Sequence, residues 1–279
     1  MFDMSIDNFW MVEREYNPEE AYFNETDGLY YCVDCRTPVE AYFMEKEKGK
    51  NPCMCKCRRE EHEQREKERK AREHADTVDK LRQDAFSGKR MYDWKFENSH
   101  ADVKQVEVAK KYADTWLEME QRNQGLLFVG DVGRGKSFTA ACIVNAVIEL
   151  EVRAKMINIA TIINDLQSLG GEERSNYIAK LCRYRLLVFD DLGAERGTEF
   201  AIEQVHNVVN ARWESGRPFI VTTNLTLQEM QNEEQMVLKR IYDRVLDVCR
   251  PMVFLGENYR ANGRKNQLEM VQELWRDMQ

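Results

Sequence analysis

Residues 130–137 read Gly-Asp-Val-Gly-Arg-Gly-Lys-Ser, and this stretch says most about the fold of the chain. It matches the phosphate-binding pattern G-x-x-x-x-G-K-[ST]. The apolar run Leu126 to Val129 before it predicts a buried strand, and residues 138–150 after it carry apolar side chains at helical spacing. Glycines let backbone N–H groups surround phosphates, and the helix N-terminus adds partial positive charge. We therefore expect a nucleoside triphosphate to bind here.

Within this loop, two side chains have specific expected roles. Lys136 is expected to reach the β- and γ-phosphates and to act in catalysis, while the Ser137 hydroxyl is expected to ligate Mg²⁺. The residues assigned to nucleotide contact are Gly130, Asp131, Val132, Gly133, Arg134, Gly135, Lys136, Ser137 and Phe138.

A second apolar run, Leu186 to Phe189, ends in two carboxylates, Asp190 and Asp191. A buried strand that ends in acids at this distance from a phosphate loop is a Walker B pattern. Asp190 is expected to hold Mg²⁺ through water, and Asp191 to orient or deprotonate the attacking water. Glu is the usual residue at the second position, so Asp191 is a departure and leaves open whether Glu195 assists.

Composition limits the class of protein. The chain has 279 residues, of which 32% are charged and 43% hydrophobic, with a formal net charge of −8. This length allows one large domain and one small one. No apolar stretch approaches the roughly 18 residues that span a bilayer, and the N-terminus has no signal-peptide pattern, so we expect a cytoplasmic protein without a membrane partner. The negative charge argues against coating of duplex DNA but permits a local basic channel for a single strand.

Five of the eight cysteines lie between positions 32 and 57. Cys32 and Cys35 form a C-x-x-C pair, and Cys53, Cys55 and Cys57 form C-x-C-x-C. Paired thiolates at these spacings can close on one tetrahedral zinc ion, which so short a segment would need in order to fold. We favour Cys55 and Cys57 as the second pair, with Cys53 as the alternative; free thiols in a loop are the other interpretation.

The organisation of the chain follows from these motifs. Residues 1–58 form an N-terminal region with a zinc module at about 30–58, while residues 1–29 have no clear period. Residues 59–85 are a charged helical linker, because mixed-sign charges at three- and four-residue spacing stabilise an exposed helix. Its functional alternative is a lever that lets the zinc module dock on a partner. Residues 86–279 form the nucleotide-binding domain.

Strands and helices alternate after the phosphate loop, which predicts an α/β fold with a parallel sheet covered by helices on both faces. A capping box at Thr226 begins a short helix. The predicted strands are 156–159, 186–190, 218–224 and 248–255, and the predicted helices are 106–118, 162–169, 174–182, 199–213 and an amphipathic tail at about 268–278.

Polar residues later in the chain suggest further site residues. Thr222-Thr223-Asn224 end an otherwise apolar strand, where Asn224 could bond the attacking water or the γ-phosphate, or simply cap a turn. Arg240 and Arg244 are four apart on one helix face, and Arg260 follows in Asn-Tyr-Arg. Arginines that approach a neighbour's nucleotide neutralise charge on the γ-phosphate, although each one alone is also typical of a surface salt bridge.

Five motifs together carry a family resemblance: the phosphate loop, Leu-Val-Phe-Asp-Asp-Leu-Gly-Ala-Glu, Thr-Thr-Asn, Arg-Ile-Tyr-Asp-Arg and Asn-Tyr-Arg. Their order and spacing resemble those of the AAA+ ATPases of the DnaC type. These are bacterial and phage replicative-helicase loaders, with the IstB transposition helpers as relatives. The resemblance covers about residues 86–262. It implies that Asn224 is sensor 1, that Arg244 is an arginine finger acting in trans with Arg240 beside it, and that Arg260 is sensor 2. The catalytic set is then Lys136, Asp191, Asn224, Arg244 and Arg240.

The resemblance implies an ATP-dependent loader that places a replicative DnaB-type helicase on single-stranded DNA, with ATP, Mg²⁺ and Zn²⁺ as cofactors. Subunits would form a homo-oligomeric ring or spiral. An IstB-like transposition helper, or a nucleotide-gated DNA-binding adaptor with little hydrolysis, are the alternatives; a P-loop kinase would need an acceptor-binding lid that residues 191–217 do not suggest. The candidate DNA contacts are Lys180, Arg183, Arg185 and Arg153.

Overall fold

The computed structural model describes residues 15–42, 49–99, 104–193, 198–255, 258, 259 and 261. The chain divides into two compact units, residues 1–75 and 76–279. Within the described ranges, every helix is too short or too polar to cross a bilayer.

Two short antiparallel hairpins form the N-terminal unit. Strand β1 (Ala21–Asn24) pairs with β2 (Leu29–Cys32), and β3 (Glu40–Tyr42) pairs with β4 (Lys50–Pro52). The first hairpin turns through Gly28, whose φ of 71° favours glycine. The folded module therefore begins before residue 30, because β1 belongs to it.

Helix α1 (Lys56–Ala85) confirms the predicted charged helix. Ion pairs three or four residues apart line its exposed surface, as between Arg69 and both Glu66 and Glu73. Only its C-terminal end is buried: Val78 and Ala85 join an apolar cluster of the second unit. The helix thus changes from a solvated surface to a packed one along its length.

The second unit contains a parallel five-stranded sheet in the order β6-β7-β8-β5-β9. Helices cover both faces, as the alternating pattern predicted. Short 3-10 turns at Lys89–Asp93 and Phe96–Asn98 precede the first helices. The elements are α2 (Lys104–Asp114), α3 (Trp116–Gln121), β5 (Gly125–Val129), α4 (Lys136–Ile148), β6 (Ala154–Asn158), α5 (Ile159–Ser168), α6 (Gly171–Cys182), β7 (Leu186–Leu192), α7 (Glu199–Glu214), β8 (Phe219–Thr223), α8 (Leu227–Gln231), α9 (Met236–Val248) and β9 (Cys249–Val253).

The central strands are buried on both faces, which explains why they are continuous apolar runs in the sequence. On β5, Leu127 and Val129 join the cluster beneath α5, α7 and α9, whereas Leu126 and Phe128 join the cluster beneath α2 and α4. The core therefore lies in two layers with the sheet between them, and the carboxyl ends of the strands share one edge.

Several predicted boundaries were wrong. The single helix at 106–118 is two helices, α2 and α3, that meet at Thr115, whose hydroxyl bonds back to the Lys111 carbonyl. Val248 ends α9 instead of beginning the last strand. Ile159 begins α5, with Asn158 as its N-cap, instead of ending β6. The capping box at Thr226 is confirmed. The tail helix lies outside the described residues.

Candidate functional site

The phosphate loop has a backbone that its glycines permit. Gly130, Gly133 and Gly135 have φ values of 150°, 84° and 91°. A Cβ atom at Gly130 would lie 2.4 Å from the carbonyl oxygen of Phe254, so a larger residue would also collide there. The loop then enters α4, whose N-cap is Gly135. Backbone N–H groups at this helix N-terminus are typical anion ligands.

Lys136 is 5% exposed and lies against the loop. Its Nζ donates to the carbonyl oxygens of Gly130 and Asp131, at 2.6 and 2.9 Å, and to Oδ1 of Asn224 at 2.8 Å. The structure therefore brings Asn224, from the end of β8, into direct contact with the lysine of the loop. Sequence spacing suggested this proximity, and the parallel pairing of β5 with β8 produces it.

Asp190 lies on β7 and is 7% exposed. Its Oδ1 accepts a hydrogen bond from the Thr222 hydroxyl at 2.7 Å, and the Ser137 hydroxyl lies close enough to influence the same carboxylate. Burial raises the pKa of the Asp190 carboxyl, and the two hydroxyl donors act against that shift. The two residues expected to hold Mg²⁺, Ser137 and Asp190, thus lie near each other, and their oxygen donors suit this ion.

Asp191 adopts an unusual backbone at the end of β7. Its φ is 60°, and the pairing of β7 with β8 shifts register between Phe189 and Leu192, which marks a bulge. The Asp191 N–H donates to the Thr222 hydroxyl at 3.0 Å, and its Oδ2 accepts from Asn158 Nδ2 at 3.3 Å. The bulge therefore gives the two consecutive acids different surroundings.

Sequence reasoning missed the two residues that hold these acids. Thr222 contacts both, because its hydroxyl donates to Asp190 while accepting from the Asp191 backbone. Asn158 ends β6, which is next to β7 in the sheet. The signal available in the sequence was its position: a polar residue at the carboxyl end of a strand adjacent to the acids.

Two predicted site residues lie on α9. Arg244 donates from Nη1 to His206 Nε2 at 2.9 Å, and its guanidinium lies 5.7 Å from the centroid of the Trp213 ring. Burial, and then the charge of Arg244, lower the pKa of His206, so its neutral ring accepts this bond. Arg240 is exposed. The hydrogen bonds of these arginines that the structure describes do not include one to the phosphate loop.

The remaining candidates are two residues proposed for the nucleotide site and four proposed to contact DNA. Arg260 and Glu195 lie outside the described residues. Among the DNA-contact candidates, Arg153 pairs with Asp84 and Arg185 with Glu120, so intramolecular ion pairs already engage both side chains. The remaining candidates, Lys180 and Arg183, are exposed.

In the N-terminal unit, four thiols meet at one point. The Sγ atoms of Cys32, Cys35, Cys55 and Cys57 all lie within 4.8 Å of one another, which is the favoured ligand set. The alternative ligand, Cys53, is exposed and directs its Sγ to the Pro38 carbonyl oxygen at 3.5 Å. The structure thus brings together the pair that the sequence analysis favoured, Cys55 and Cys57, and leaves Cys53 outside the group.

These four thiols fit a zinc ion. Zn–S bonds of about 2.3 Å in a tetrahedron place sulfurs about 3.8 Å apart, and the Cys57 Sγ lies 3.3 Å from that of Cys55 and 3.6 Å from that of Cys32. A hydrogen bond from Thr37 lowers the pKa of Cys35 to about 5, whereas the neighbouring thiols of Cys55 and Cys32 raise that of Cys57 to about 12. A divalent cation would allow all four to be thiolates at once.

Comparison with known families identifies the nucleotide-binding part. Residues 52–267, well over half of the chain, match the model of the family described as IstB-like ATP binding protein. The chain belongs to the IstB-like ATP-binding proteins. This assignment agrees with the loop geometry and with the resemblance given by the sequence motifs.

Several curated proteins are related to this family member. YdaV of Escherichia coli K12, an uncharacterised protein, is 28% identical over 157 residues, which are 55% of this chain and 61% of YdaV. The replicative helicase loader DnaC of the same strain is 25% identical over 174 residues, covering 60% of this chain and 69% of DnaC. The replicative helicase loader DnaI of Bacillus subtilis is 26% identical over 153 residues, covering 50% and 48%.

Solved structures confirm the fold class. A crystal structure of DnaI superposes with a TM-score of 0.52 at 17% identity, covering 63% of this chain and 95% of that one. A crystal structure of the DnaC helicase loader gives a TM-score of 0.51 at 20% identity, covering 60% and 100%. The IstB-like domain therefore shares with them an α/β fold in which helices flank a parallel sheet.

Proposed function

We propose that this protein is an ATP-hydrolysing loader that places a replicative, DnaB-type helicase on single-stranded DNA. The observation that carries the proposal is the contact of Lys136 with Asn224 beside the Thr222-linked acids. Phosphate-binding, metal-binding and water-orienting groups then meet at one sheet edge. Support for the loading role comes from the two relatives named as replicative helicase loaders.

Each residue at this edge has a role in the proposed reaction. The loop N–H groups and Lys136 bind the β- and γ-phosphates, while Ser137 and Asp190 hold Mg²⁺. When bound, Mg²⁺ neutralises phosphate charge. Asp191, held by Asn158, accepts a proton from the attacking water, and Asn224 orients that water or the γ-phosphate. The Thr222 hydroxyl fixes the Asp190 carboxylate and the Asp191 backbone, and Asn158 fixes the Asp191 carboxylate.

Hydrolysis in this proposal needs a second copy of the chain. Arg244, with Arg240 one turn away, neutralises charge on the γ-phosphate bound by a neighbour, and Arg260 acts as sensor 2. His206 and Trp213 hold the Arg244 side chain in place, which limits the entropy lost when it meets the nucleotide. A homo-oligomeric ring or spiral follows, with single-stranded DNA on its inner face.

The N-terminal unit is proposed to bind one structural zinc ion through Cys32, Cys35, Cys55 and Cys57 and to capture the helicase. Four thiol ligands would close the coordination sphere and leave no position for a catalytic water. The exposed aromatic side chains of Tyr22 and Phe23 offer contact area on this unit. The proposed location of the whole assembly is the cytoplasm.

The decisive experiment measures ATP turnover and helicase loading with purified proteins. Lys136→Ala should remove ATP binding or turnover and helicase loading onto single-stranded DNA, because it removes the lysine that the loop directs at the phosphates. Lys110→Ala, an exposed lysine of α2, is the matched control and should behave like the wild type. Undiminished turnover in the Lys136 variant would contradict the assignment.

The trans role of Arg244 has its own test. Arg244→Ala should bind ATP but hydrolyse it poorly, and mixing it with Lys136→Ala should restore some activity at interfaces that pair an intact loop with an intact arginine. An absence of rescue at every mixing ratio would count against the trans role.

The capture role is tested by deleting residues 1–58 and measuring co-elution with the helicase. ATP binding should survive, and helicase association should be lost. A truncated protein that still binds the helicase at full strength would refute the role of the N-terminal unit.

Two observations favour second candidates. The family match favours an IstB-like transposition helper, which would bind a transposase in place of a helicase. The short Asp191 side chain favours a nucleotide-gated adaptor with little hydrolysis. ATP turnover that stays low with and without single-stranded DNA would favour the adaptor over the loader. Co-elution with a transposase and not with a helicase would favour the transposition helper.

A further inference from the structure

Asn258 and Tyr259, which follow β9 in the chain, contact the phosphate loop. The Nδ2 of Asn258 donates to the Val132 carbonyl oxygen at 3.2 Å, and the Tyr259 N–H donates to that of Gly133 at 3.0 Å. Two consecutive carbonyl groups of the loop are thus bonded by two consecutive residues of a segment more than 120 positions away in sequence. We call this pair of contacts the carbonyl clip.

The geometry of the peptide bond gives the carbonyl clip a consequence. In a trans peptide, the C=O and the following N–H point in opposite directions. A Val132 carbonyl held toward Asn258 therefore turns the Gly133 N–H away from Asn258, and the same holds for the Arg134 N–H beyond the Gly133 carbonyl. In a phosphate loop these N–H groups are the anion ligands.

Asn258 also fills the space beside the loop. A Cβ atom built at Gly133 would lie 2.1 Å from Oδ1, 2.6 Å from Cγ and 2.9 Å from Nδ2 of Asn258, so its three nearest neighbours all belong to this side chain. The same Oδ1 accepts from the Ala261 N–H at 3.1 Å, which makes Asn258 the cap of the turn that follows. The side chain thus has two separable contacts, one through its oxygen and one through its nitrogen.

We propose that Asn258 is a positioning residue for nucleotide binding, whose amide nitrogen holds the loop with its N–H groups directed at the phosphates. The proposal rests on the proposed function only in that a nucleotide binds this loop. The amide does not contact the phosphates itself; it fixes the peptide groups that do. Its loss affects the binding of any ligand that carries the same phosphates.

Two substitutions separate the contacts. Asn258→Ser keeps a capping oxygen but has no nitrogen donor for Val132, and Asn258→Ala has neither. Both substitutions should weaken the binding of ATP, ADP and inorganic tripolyphosphate by the same factor of about tenfold, which is the effect of one lost hydrogen bond. The KM for ATP should rise by this factor with kcat nearly unchanged, because the lost contact favours ground-state and transition-state phosphates equally.

A double variant checks the contact between loop and clip directly. Gly133→Ala should weaken ATP binding, through its collision with Asn258 and through strain at positive φ. Adding Asn258→Ser should cost nothing further, because the collision is relieved as the hydrogen bond is lost. Gly135→Ala is the control: its Cβ would meet only Tyr259 ring atoms at 3.8 Å, so its effect should add to that of Asn258→Ser.

The outcomes are distinct. Wild-type affinity in Asn258→Ser with weak binding in Asn258→Ala would show a cap alone and overturn the proposal, as would full additivity of Gly133→Ala with Asn258→Ser. Weakened ATP binding with unchanged tripolyphosphate binding would also overturn it. A wild-type protein that binds ATP without loading a helicase would instead defeat the proposed function and leave the carbonyl clip standing.

Discussion

The two units of this protein bury very different amounts of apolar surface. In the N-terminal unit, the described buried cluster is Ala21, Cys32, Val39 and Cys55, and two of these four are members of the thiol group. The second unit has two extensive clusters, one on each face of its sheet. We therefore expect the small unit to rely on metal binding by its thiols for the stability that the large unit obtains from packing.

The second unit also contains a buried charged group that stabilises its sheet. In the second unit, Arg212 is fully buried yet donates to four carbonyl oxygens, those of Cys182, Tyr184, Arg185 and Pro218. These carbonyls precede β7 and β8, so the arginine ties the sheet together at the edge opposite the nucleotide site. Burial lowers the pKa of Arg212 to about 10, which leaves it charged at neutral pH.

Metal removal should give the largest contrast between the units. A zinc chelator, or Cys32→Ser with Cys35→Ser, should unfold the N-terminal unit, because its small core cannot offset the lost coordination bonds. Amide exchange measured by mass spectrometry should show loss of protection at 21–57 and none in the β5–β9 sheet. Cys53→Ser is the matched control and should keep about one zinc per chain. If the N-terminal unit stays protected from exchange without metal, its stability does not depend on metal binding.

Arg212→Met should be the most damaging single change within the large unit. It removes the donor from the carbonyl oxygens of Tyr184, Arg185 and Pro218, while that of Cys182 keeps Arg217, and we expect a loss of about 3–5 kcal/mol in the free energy of unfolding. Arg217→Met is the control, since Arg217 is exposed although it shares the Cys182 carbonyl; it should cost less than about 1 kcal/mol. Equal losses in denaturant melts would show that burial is not the cause.

Asp190→Asn should stabilise the large unit while it removes ATP turnover. Burial raises the folded-state pKa of Asp190, so the stability tied to its protonated form is present below its unfolded pKa and is lost as pH rises through the folded one. At neutral pH the neutral amide should therefore raise the melting temperature by a few degrees. The gain should shrink as pH falls toward about 4, where the aspartic acid is itself neutral.

Thermal melts at several pH values would test this sign. A variant that melts lower than the wild type at neutral pH would mean that the bonds from Thr222 and Ser137 outweigh burial. Asp243→Asn, an exposed carboxylate of α9, should change the melting temperature little at any pH.

The smallest effect should come from the exposed part of α1, which relies on neither metal nor core. Arg69→Ala removes ion pairs with Glu66 and Glu73, but both are solvent-exposed, so the expected loss is below about 0.5 kcal/mol. Circular dichroism melts in low and high salt would measure it, with Lys70→Ala as the control. A loss above about 2 kcal/mol would show that this arm is a third stabilising region.

Much of the fold could be predicted because buried parallel strands are apolar runs with abrupt ends. The loop, the acids on β7 and the strand containing Thr222 were all located this way. Strand β1 was not predicted, because its four residues include exposed aromatic side chains and do not alternate between buried and exposed. Its pairing depends on a turn at Gly28 and on β2, and neither partner is evident from β1 alone.

The sequence predicted the site residues that belong to a local motif. It missed those whose role depends on a contact between two distant segments. The positions of Lys136 and Asp190 come from local patterns, whereas the contact of Asn158 with Asp191 joins neighbouring strands 33 positions apart. The preference for Cys55 and Cys57 over Cys53 was made from spacing, and the structure groups these two with Cys32 and Cys35. Roles that require a neighbouring subunit, such as that of Arg244, stay predictions.

The left-handed backbone at Asp191 restricts which mutations this position can accept. Aspartate codons lie one base from those of asparagine, glycine and glutamate, so the usual glutamate is as accessible as the others. At a φ of 60°, however, asparagine, aspartate and glycine are the residues with little strain, while a longer side chain gains no local hydrogen bond to compensate. The departure from glutamate therefore suits the left-handed backbone at this strand end, and Asp191→Glu should strain the backbone as well as lengthen the side chain.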